Sequence, residues 1–198
     1  LFATNTATLE QAIKDKSFKK SVKKHQVITG QLDVTQPDSW DNAINQMLER
    51  FGGIDVLINN AGVLVSGALP TTDLDEQLSL IDVNCKGVLI GCHKLAPHLA
   101  DSQDGKIINV SSASAIYGQP EVANYAASKF FVRGLTEGLN IEYAKQGIKV
   151  IDVMPLWVKS DMTADINVTS VERLGINLTV NDVAKTLCKL TTLSLIHI

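Results

Sequence analysis

The chain has 198 residues, 45% of them hydrophobic and 20% charged, with a formal net charge of -3. That length suits one domain built on one large core, and the charge balance excludes an electrostatic case for nucleic acid or an acidic membrane surface as partner. No apolar run approaches the ~20 residues that a membrane helix needs.

The opening Leu1-Phe2-Ala3 reads as the tail of a buried strand, with no signal peptide ahead of it and an N-terminal piece missing. A helix is expected from Thr6, capped by Asn5 or Thr6, with Leu9, Ala12 and Ile13 on one face. A strand is read over 27–34. Pro37 then opens a second helix whose apolar residues Trp40, Ala43, Ile44, Met47, Leu48 and Phe51 keep helical spacing, and Gly52-Gly53 stops it. Residues 54–59 form a short buried strand. A long helix follows over about 73–99, with Leu74, Leu78, Ile81, Val88, Cys92 and Leu95 as its core row. Asn84 and Gly87 are poor interior helix residues and predict a local disruption there. Residues 106–110 are a strand. A loop over 111–121 leads into a helix to about 146, and 148–153 is a strand ended by Pro155. Residues 156–179 read as irregular or partly helical, 181–190 as a last helix, and 193–198 carry no pattern. Strands alternating with amphipathic helices imply a parallel sheet covered on both faces.

The three cysteines, Cys85, Cys92 and Cys188, have no CxxC spacing, and His25, His93, His98 and His197 form no ligand set. No disulfide framework and no metal site is expected. Buried or partly buried free thiols in a reducing cytosol are the expectation.

Tyr125-Ala-Ala-Ser-Lys129 sits at the start of a helix. Spacing of four places both side chains on one face, with Cβ atoms ~6 Å apart. A phenol of pKa ~10 must gain about 4 kcal/mol of preference for phenolate to titrate near neutrality. An ammonium ~4 Å away at an effective dielectric near 20 supplies roughly that much. A chance Tyr/Lys pair on a solvated face is the competing explanation, and the neighbouring motifs weigh against it. Ser112 ends a buried strand, where ligands sit in parallel α/β sheets, and its hydroxyl can polarise a substrate oxygen. Asn59-Asn60-Ala61-Gly62 also follows a strand, and its small residues let backbone approach a planar ligand.

In this order the motifs resemble the short-chain dehydrogenase/reductase family over about residues 1–160: Asp33-Val34, Asn59-Asn60-Ala61-Gly62, Asn84, Ser112, Tyr125-x-x-x-Lys129 and Pro155. The resemblance implies a single, partial NAD(P)-binding domain over 1–198. Its fold would be α/β: a Rossmann-like doubly wound parallel sheet in a three-layer α/β/α arrangement, lacking the first strand-helix unit. It implies an oxidoreductase that moves a hydride between a nicotinamide cofactor and a carbonyl or alcohol. Tyr125 would be the general acid/base. Lys129 would hold the ribose hydroxyls and lower the tyrosine pKa. Ser112 would steady the carbonyl, and Asn84 would position a water in a proton relay. Asp33 and Val34 would meet the adenine, Asn60, Ala61 and Gly62 the adenosine side. Pro155, Val158 and Ser160 would lie by the nicotinamide. Ser114 and Tyr117 would join Ser112 and Tyr125 around the substrate, in a mostly apolar pocket also lined by Ala115, Ile116, Gly118 and residues 156–171. A cytoplasmic homodimer or homotetramer is the implied assembly, with helix-to-helix contacts near Asp73 and Val122, and neither nucleic acid nor membrane as partner.

Three departures from the family stand out. The TGxxxGxG turn is not in the sequence. Leu156 follows Pro155 where the family usually has Gly, and no last strand is recognisable after Leu190. Ala3-Thr4-Asn5, at the end of a strand that selects between cofactors, carries no acid, which favours NADP(H) over NAD(H). A non-catalytic truncated domain, serving in nucleotide binding or oligomerisation, is the alternative. A sugar epimerase would need a larger C-terminal domain than the residues after Pro155 supply.

Overall fold

The computed structural model describes residues 1–14 and 27–192. His25, His197 and the segment 193–198 lie outside the described residues. Phe2–Ala3 (β1) leads into Thr6–Ile13 (α1), which Asn5 caps by accepting from the Ala7 amide at 3.0 Å. β1 pairs in parallel with Gly30–Gln31 (β2). The strand read over 27–34 therefore holds only two ladder residues. Its partner is equally short, and the chain turns at Asp33, whose Oδ1 accepts from the Thr35 amide at 2.9 Å and hydroxyl at 2.7 Å. Pro37–Phe51 (α2) begins at its proline as expected, and Gly52 ends it in the left-handed region at φ 78, donating to Leu48 O.

Val56–Asn59 (β3), Lys106–Val110 (β4) and Lys149–Val153 (β5) form a parallel sheet in the order β3-β4-β5. In-register parallel neighbours share a face. Leu57, Ile107 and Val150 are such neighbours, and they pack into one core with Cys92, Leu95 and Leu99. On the other face, buried Lys106 donates to Thr191 O at 3.1 Å. Thr191 belongs to Val180–Thr192 (α7). Helices thus cover both faces, giving the doubly wound, three-layer α/β/α arrangement. Among the described residues no strand ladder joins β1 to β3.

The long helix read over 73–99 is two helices. Leu74–Ile81 (α3) and Val88–Ala100 (α4) flank a π-helical segment, Asp82–Gly87. The disruption expected at Asn84 and Gly87 is this segment. It also overturns part of the predicted core row. Val88, Cys92 and Leu95 are buried, but Leu74, Leu78 and Ile81 are 69%, 56% and 38% exposed. A π turn inserts a residue and rotates everything before it relative to everything after it. Gln77, Leu80 and Asn84 therefore take the inward positions, and the leucine row faces out.

Ala123–Glu142 (α5) follows β4 and its loop. After β5, residues 156–179 hold Val158–Lys159 (β6), Thr169–Leu174 (α6) and Leu178–Thr179 (β7), with β6 and β7 paired in parallel. Phe130 and Phe131 on α5 are 43% and 40% exposed, so burial against the sheet does not account for them. Cys85 and Cys92 are buried free thiols, whereas Cys188 is exposed, contrary to expectation. Burial pushes the Cys92 thiol up to about 11. No described helix is long and apolar enough to cross a membrane.

Candidate active site

β4 delivers Ser112 and α5 delivers Tyr125 and Lys129 to the same place. The ends of β4 and β5 are tied by Ser111 N donating to Val153 O at 2.9 Å and Ala113 N donating to Pro155 O at 2.9 Å. Ser112 is extended at φ -168, ψ 157, and its Oγ accepts from Ser114 N at 3.1 Å. The Ser112 hydroxyl stands close enough to the Tyr125 phenol to act on its pKa, so the two groups share one cleft. Lys129 is 6% exposed, donates to Val110 O at 2.9 Å, and lies over the Tyr125 ring, 5.5 Å from its centroid.

This geometry corrects one expectation. The ammonium was placed beside the phenol oxygen, where it would lower the tyrosine pKa. It sits instead over the ring and against a carbonyl. Burial pushes the Tyr125 phenol up, and the neighbouring Ser112 hydroxyl opposes that shift. Burial also pulls Lys129 down to about 8, with the charges of Asp152 and Cys85 opposing.

Asn84 completes the cluster. It is 1% exposed; its Oδ1 accepts from Val63 N at 2.9 Å, and its Nδ2 donates to Val63 O at 2.9 Å and Ser128 Oγ at 3.1 Å. The π segment is what turns it inward. A Cβ on Gly62 would stand 3.3 Å from Asn84 Oδ1 and 3.7 Å from Lys129 Nζ. Gly62, Asn84 and Lys129 therefore converge, while Asn60 and Ala61 are exposed beside them.

The remaining predicted residues divide. Val34 packs on the π segment so closely that a Cβ on Gly87 would be 2.7 Å from Val34 Cγ2. With Asn59, Ala61, Val83 and Val88 these two line a small crevice. Asp33 opens instead onto the larger cavity, about 530 Å³, bounded by polar residues of α2. Tyr125, Ser112 and Lys129 do not line that cavity, so its size says nothing about the chemistry. Pro155 is half-buried. Val158 O accepts from Thr163 Oγ1 at 2.6 Å, and Ser160 caps the turn at 161–163. Leu156, in place of glycine, is outside the positive-φ residues, so the backbone there asks nothing special of it. Ser114 is buried and accepts from Gln119 Nε2 at 3.1 Å, whereas Tyr117 is 48% exposed. Ala115 is 0% exposed and turns into the core, so it lines no pocket.

Asn59 was read as part of its motif, but its partners Asn109 and Thr136, and Glu121 and Asp152, escaped the sequence reading. Asn59 Nδ2 donates to Asn109 Oδ1 at 2.8 Å, and Asn109 Nδ2 donates to Thr136 Oγ1 at 2.8 Å, binding β3, β4 and α5 through buried amides. An asparagine inside the apolar strand β4 was the available signal for Asn109. Glu121, a non-glycine residue at φ 65, ties Gly67 to the start of α6: its O accepts from Gly67 N at 2.7 Å and its Oε2 from Thr169 N at 2.8 Å. Asp152, an acid within an apolar strand, was also passed over.

Comparison with known proteins bears on this cleft. The family model described as short chain dehydrogenase matches residues 2–170. The 3-alpha-(or 20-beta)-hydroxysteroid dehydrogenase of Mycobacterium tuberculosis is 39% identical over 132 residues, covering 67% of this chain and 51% of that protein. The chain spans about half the length of the curated relatives it matches. Among solved structures, ElxO with NADP bound superposes with a TM-score of 0.83 at 26% identity, over 98% of this chain and 80% of that one. A 3-ketoacyl-(acyl-carrier-protein) reductase from Brucella melitensis, complexed with NADH, gives 0.76 at 26% identity over 83% and 71%.

Proposed function

The chain belongs to the short-chain dehydrogenase family, and from that premise we propose that it transfers a hydride between a nicotinamide dinucleotide and a carbonyl or alcohol, with Tyr125 as general acid/base. The shared cleft of Ser112 and Tyr125, closed below by buried Lys129, carries this reading. The residues present suit the two ends of a dinucleotide. Val34, Ala61 and Val83 offer an apolar edge against which a flat base can pack. Lys129, buried and charged near neutrality, offers a donor to sugar hydroxyls. The bound cofactor would supply or accept the hydride. In the reductive direction Tyr125 gives its phenolic proton to the carbonyl oxygen as the C–H bond forms, and recovers one through Lys129 and the water-positioning amide of Asn84. Ser112 donates to the same oxygen as charge develops on it. Ser114 and exposed Tyr117 bound the substrate side, and Pro155, Val158 and Ser160 the nicotinamide side. Asp33, Asn60 and Gly62 complete the adenosine side.

The relatives with bound dinucleotide include one with NADP and one with NADH. We take NADP(H) as the preferred partner, because Ala3-Thr4-Asn5 offers no carboxylate to repel a phosphate. Tyr125→Phe is expected to lower turnover of NADPH-dependent carbonyl reduction by about a thousandfold. Calorimetry on that variant should find NADPH affinity within a few fold of wild type. Near-normal turnover would overturn the role of Tyr125.

A second reading is favoured by the outward apolar row. Leu74, Leu78, Ile81 and Leu89, with Phe130, Phe131 and Ile141 of α5, are all exposed. In the active reading they form the contact of a homodimer or homotetramer; in the second, oligomerisation is the whole task of the chain. Leu78→Lys should lower the oligomeric state seen by light scattering. An active wild-type chain removes the second reading.

A further inference from the structure

We propose that Asp152 is a positioning residue for Lys129: its carboxylate lies beneath α5 as the buried counter-charge that keeps the ammonium charged and in place. This deepens the reading of the Tyr125 site and rests on it.

The register places Asp152. On β5 it is the partner of Asn109 on β4, and neighbours in a parallel ladder point to the same face. Asn109 on that face reaches Thr136 of α5. Asp152 therefore points under the helix that carries Tyr125 and Lys129. Both carboxylate oxygens are buried, and the neutral group close enough to oppose the upward shift of the carboxyl is the neighbouring Ser111, whose Oγ is buried beside them. Buried acids are almost always hydrogen-bonded or paired with a cation, because losing water is costly for a charge. The cations that face Asp152 are Lys129 and, one turn on, Arg133. Arg133 is already engaged: Nη1 donates to Ala115 O at 3.2 Å and Nε to Glu137 at 2.9 Å.

Lys129 has the complementary need. Its ammonium is buried against Val110 O and the Tyr125 ring. The charged or titratable groups facing it are Asp152 from β5, Cys85 from the π segment and Tyr125 from its own helix. Cys85 is held as neutral thiol, because burial raises it more than Lys129 lowers it. Tyr125 is likewise held as phenol. Asp152 is thus the counter-ion that remains. Burial pushes its carboxyl up as it pushes the Lys129 ammonium down, and each group opposes the shift of the other. A lysine that must stay charged to hold sugar hydroxyls, yet is sealed from water, needs such a partner.

The test reads Lys129 directly, by its side-chain 15N chemical shift against pH in the full chain, with the signal identified by its loss in Lys129→Met. Asp152→Asn keeps the shape and removes the charge. Its Lys129 midpoint should fall by about one pH unit or more, and Asp152→Glu should restore it to within about half a unit. An unchanged midpoint in Asp152→Asn overturns the proposal. So does an equal fall in both variants, which would reflect packing alone. If Asp152→Asn fails to fold, the coupling is read in wild type: the Asp152 13Cγ shift must show a second step at the Lys129 midpoint, lost in Lys129→Met, and a single step overturns the proposal. None of these readings needs turnover. A failed coupling in an active enzyme removes the role of Asp152 alone, whereas a confirmed coupling in an inactive one removes the oxidoreductase reading.

Discussion

Two of the three parallel sheets among the described residues, β3-β4-β5 and β1-β2, are built to different standards. β3, β4 and β5 pair along four and five residues, and buried amides of Asn59 and Asn109 cross-link β3 to β4 and β4 to α5. β1 and β2 share a ladder of two residues, and the turn at Asp33 is held by bonds within Asp33-Val-Thr35. Proton transfer needs hydroxyls fixed to a fraction of an ångström, and the half that carries Ser112, Tyr125 and Lys129 has redundant ties. In the proposed reading the half that carries Asp33 and Val34 recognises a flat base, which tolerates more play, and it has few ties.

That contrast should break most visibly at Asn109. Asn109→Ala strips a partner from Asn59 and from Thr136 at once and leaves both buried. The expected cost is ~2–4 kcal/mol of unfolding free energy, read by urea titration. A loss below ~1 kcal/mol would mean the amide ladder does not rigidify this half.

Lys129 offers the next largest effect, and its sign is opposite to intuition. Its pKa falls from 10.5 to about 8 on folding. Between those values the unfolded chain holds a proton that the native chain has shed, so stability from this site rises as pH climbs from about 8 towards 10.5. Whatever fixed cost Lys129→Met carries from leaving Asp152 without its counter-charge, wild type should gain on that variant by roughly 2 kcal/mol as pH climbs from ~7 to ~9.5. Urea titrations at the two pH values check this, and a gap independent of pH contradicts it. The site would then be one where stability is given up for a buried charge against the Tyr125 ring.

The smallest effect belongs to the loosely tied half. Asp33→Ala should move unfolding free energy by less than ~1 kcal/mol, since its bonds are local and partly exposed. In the proposed reading it weakens NADPH binding about tenfold and leaves turnover at saturation within a few fold. A change in saturated turnover as large as that in affinity would tie this region to the chemistry.

The same contrast decided what the sequence revealed. Pro37, Gly52 and the strands of β3 to β5 were legible because each is specified by its own residues: a fixed φ, a left-handed stop, a short apolar run. Tyr125, Lys129, Ser112 and Asn84 were legible as spaced motifs on predictable elements, and the structure brings them together. The outward turn of Leu74, Leu78 and Ile81 was not, because one inserted residue in the π segment rotates a heptad-like row without breaking its spacing. Nor was the short extent of β2, which depends on the length of its partner. Asp152 was missed because an acid in a strand reads locally as a solvent-facing position. Only the register with Asn109 turns it inward.

The central claim is that the Tyr125 phenol, beside Ser112 and over Lys129, trades the proton that accompanies hydride transfer. Single-turnover mixing of the wild-type chain and of Tyr125→Phe with 4-deuterated NADPH and a panel of small non-ionic ketones tests it. The account predicts deuterium at the carbinol carbon in wild type, formed at least about a hundredfold more slowly in the phenylalanine variant. Label transferred at equal rates by both proteins would contradict it.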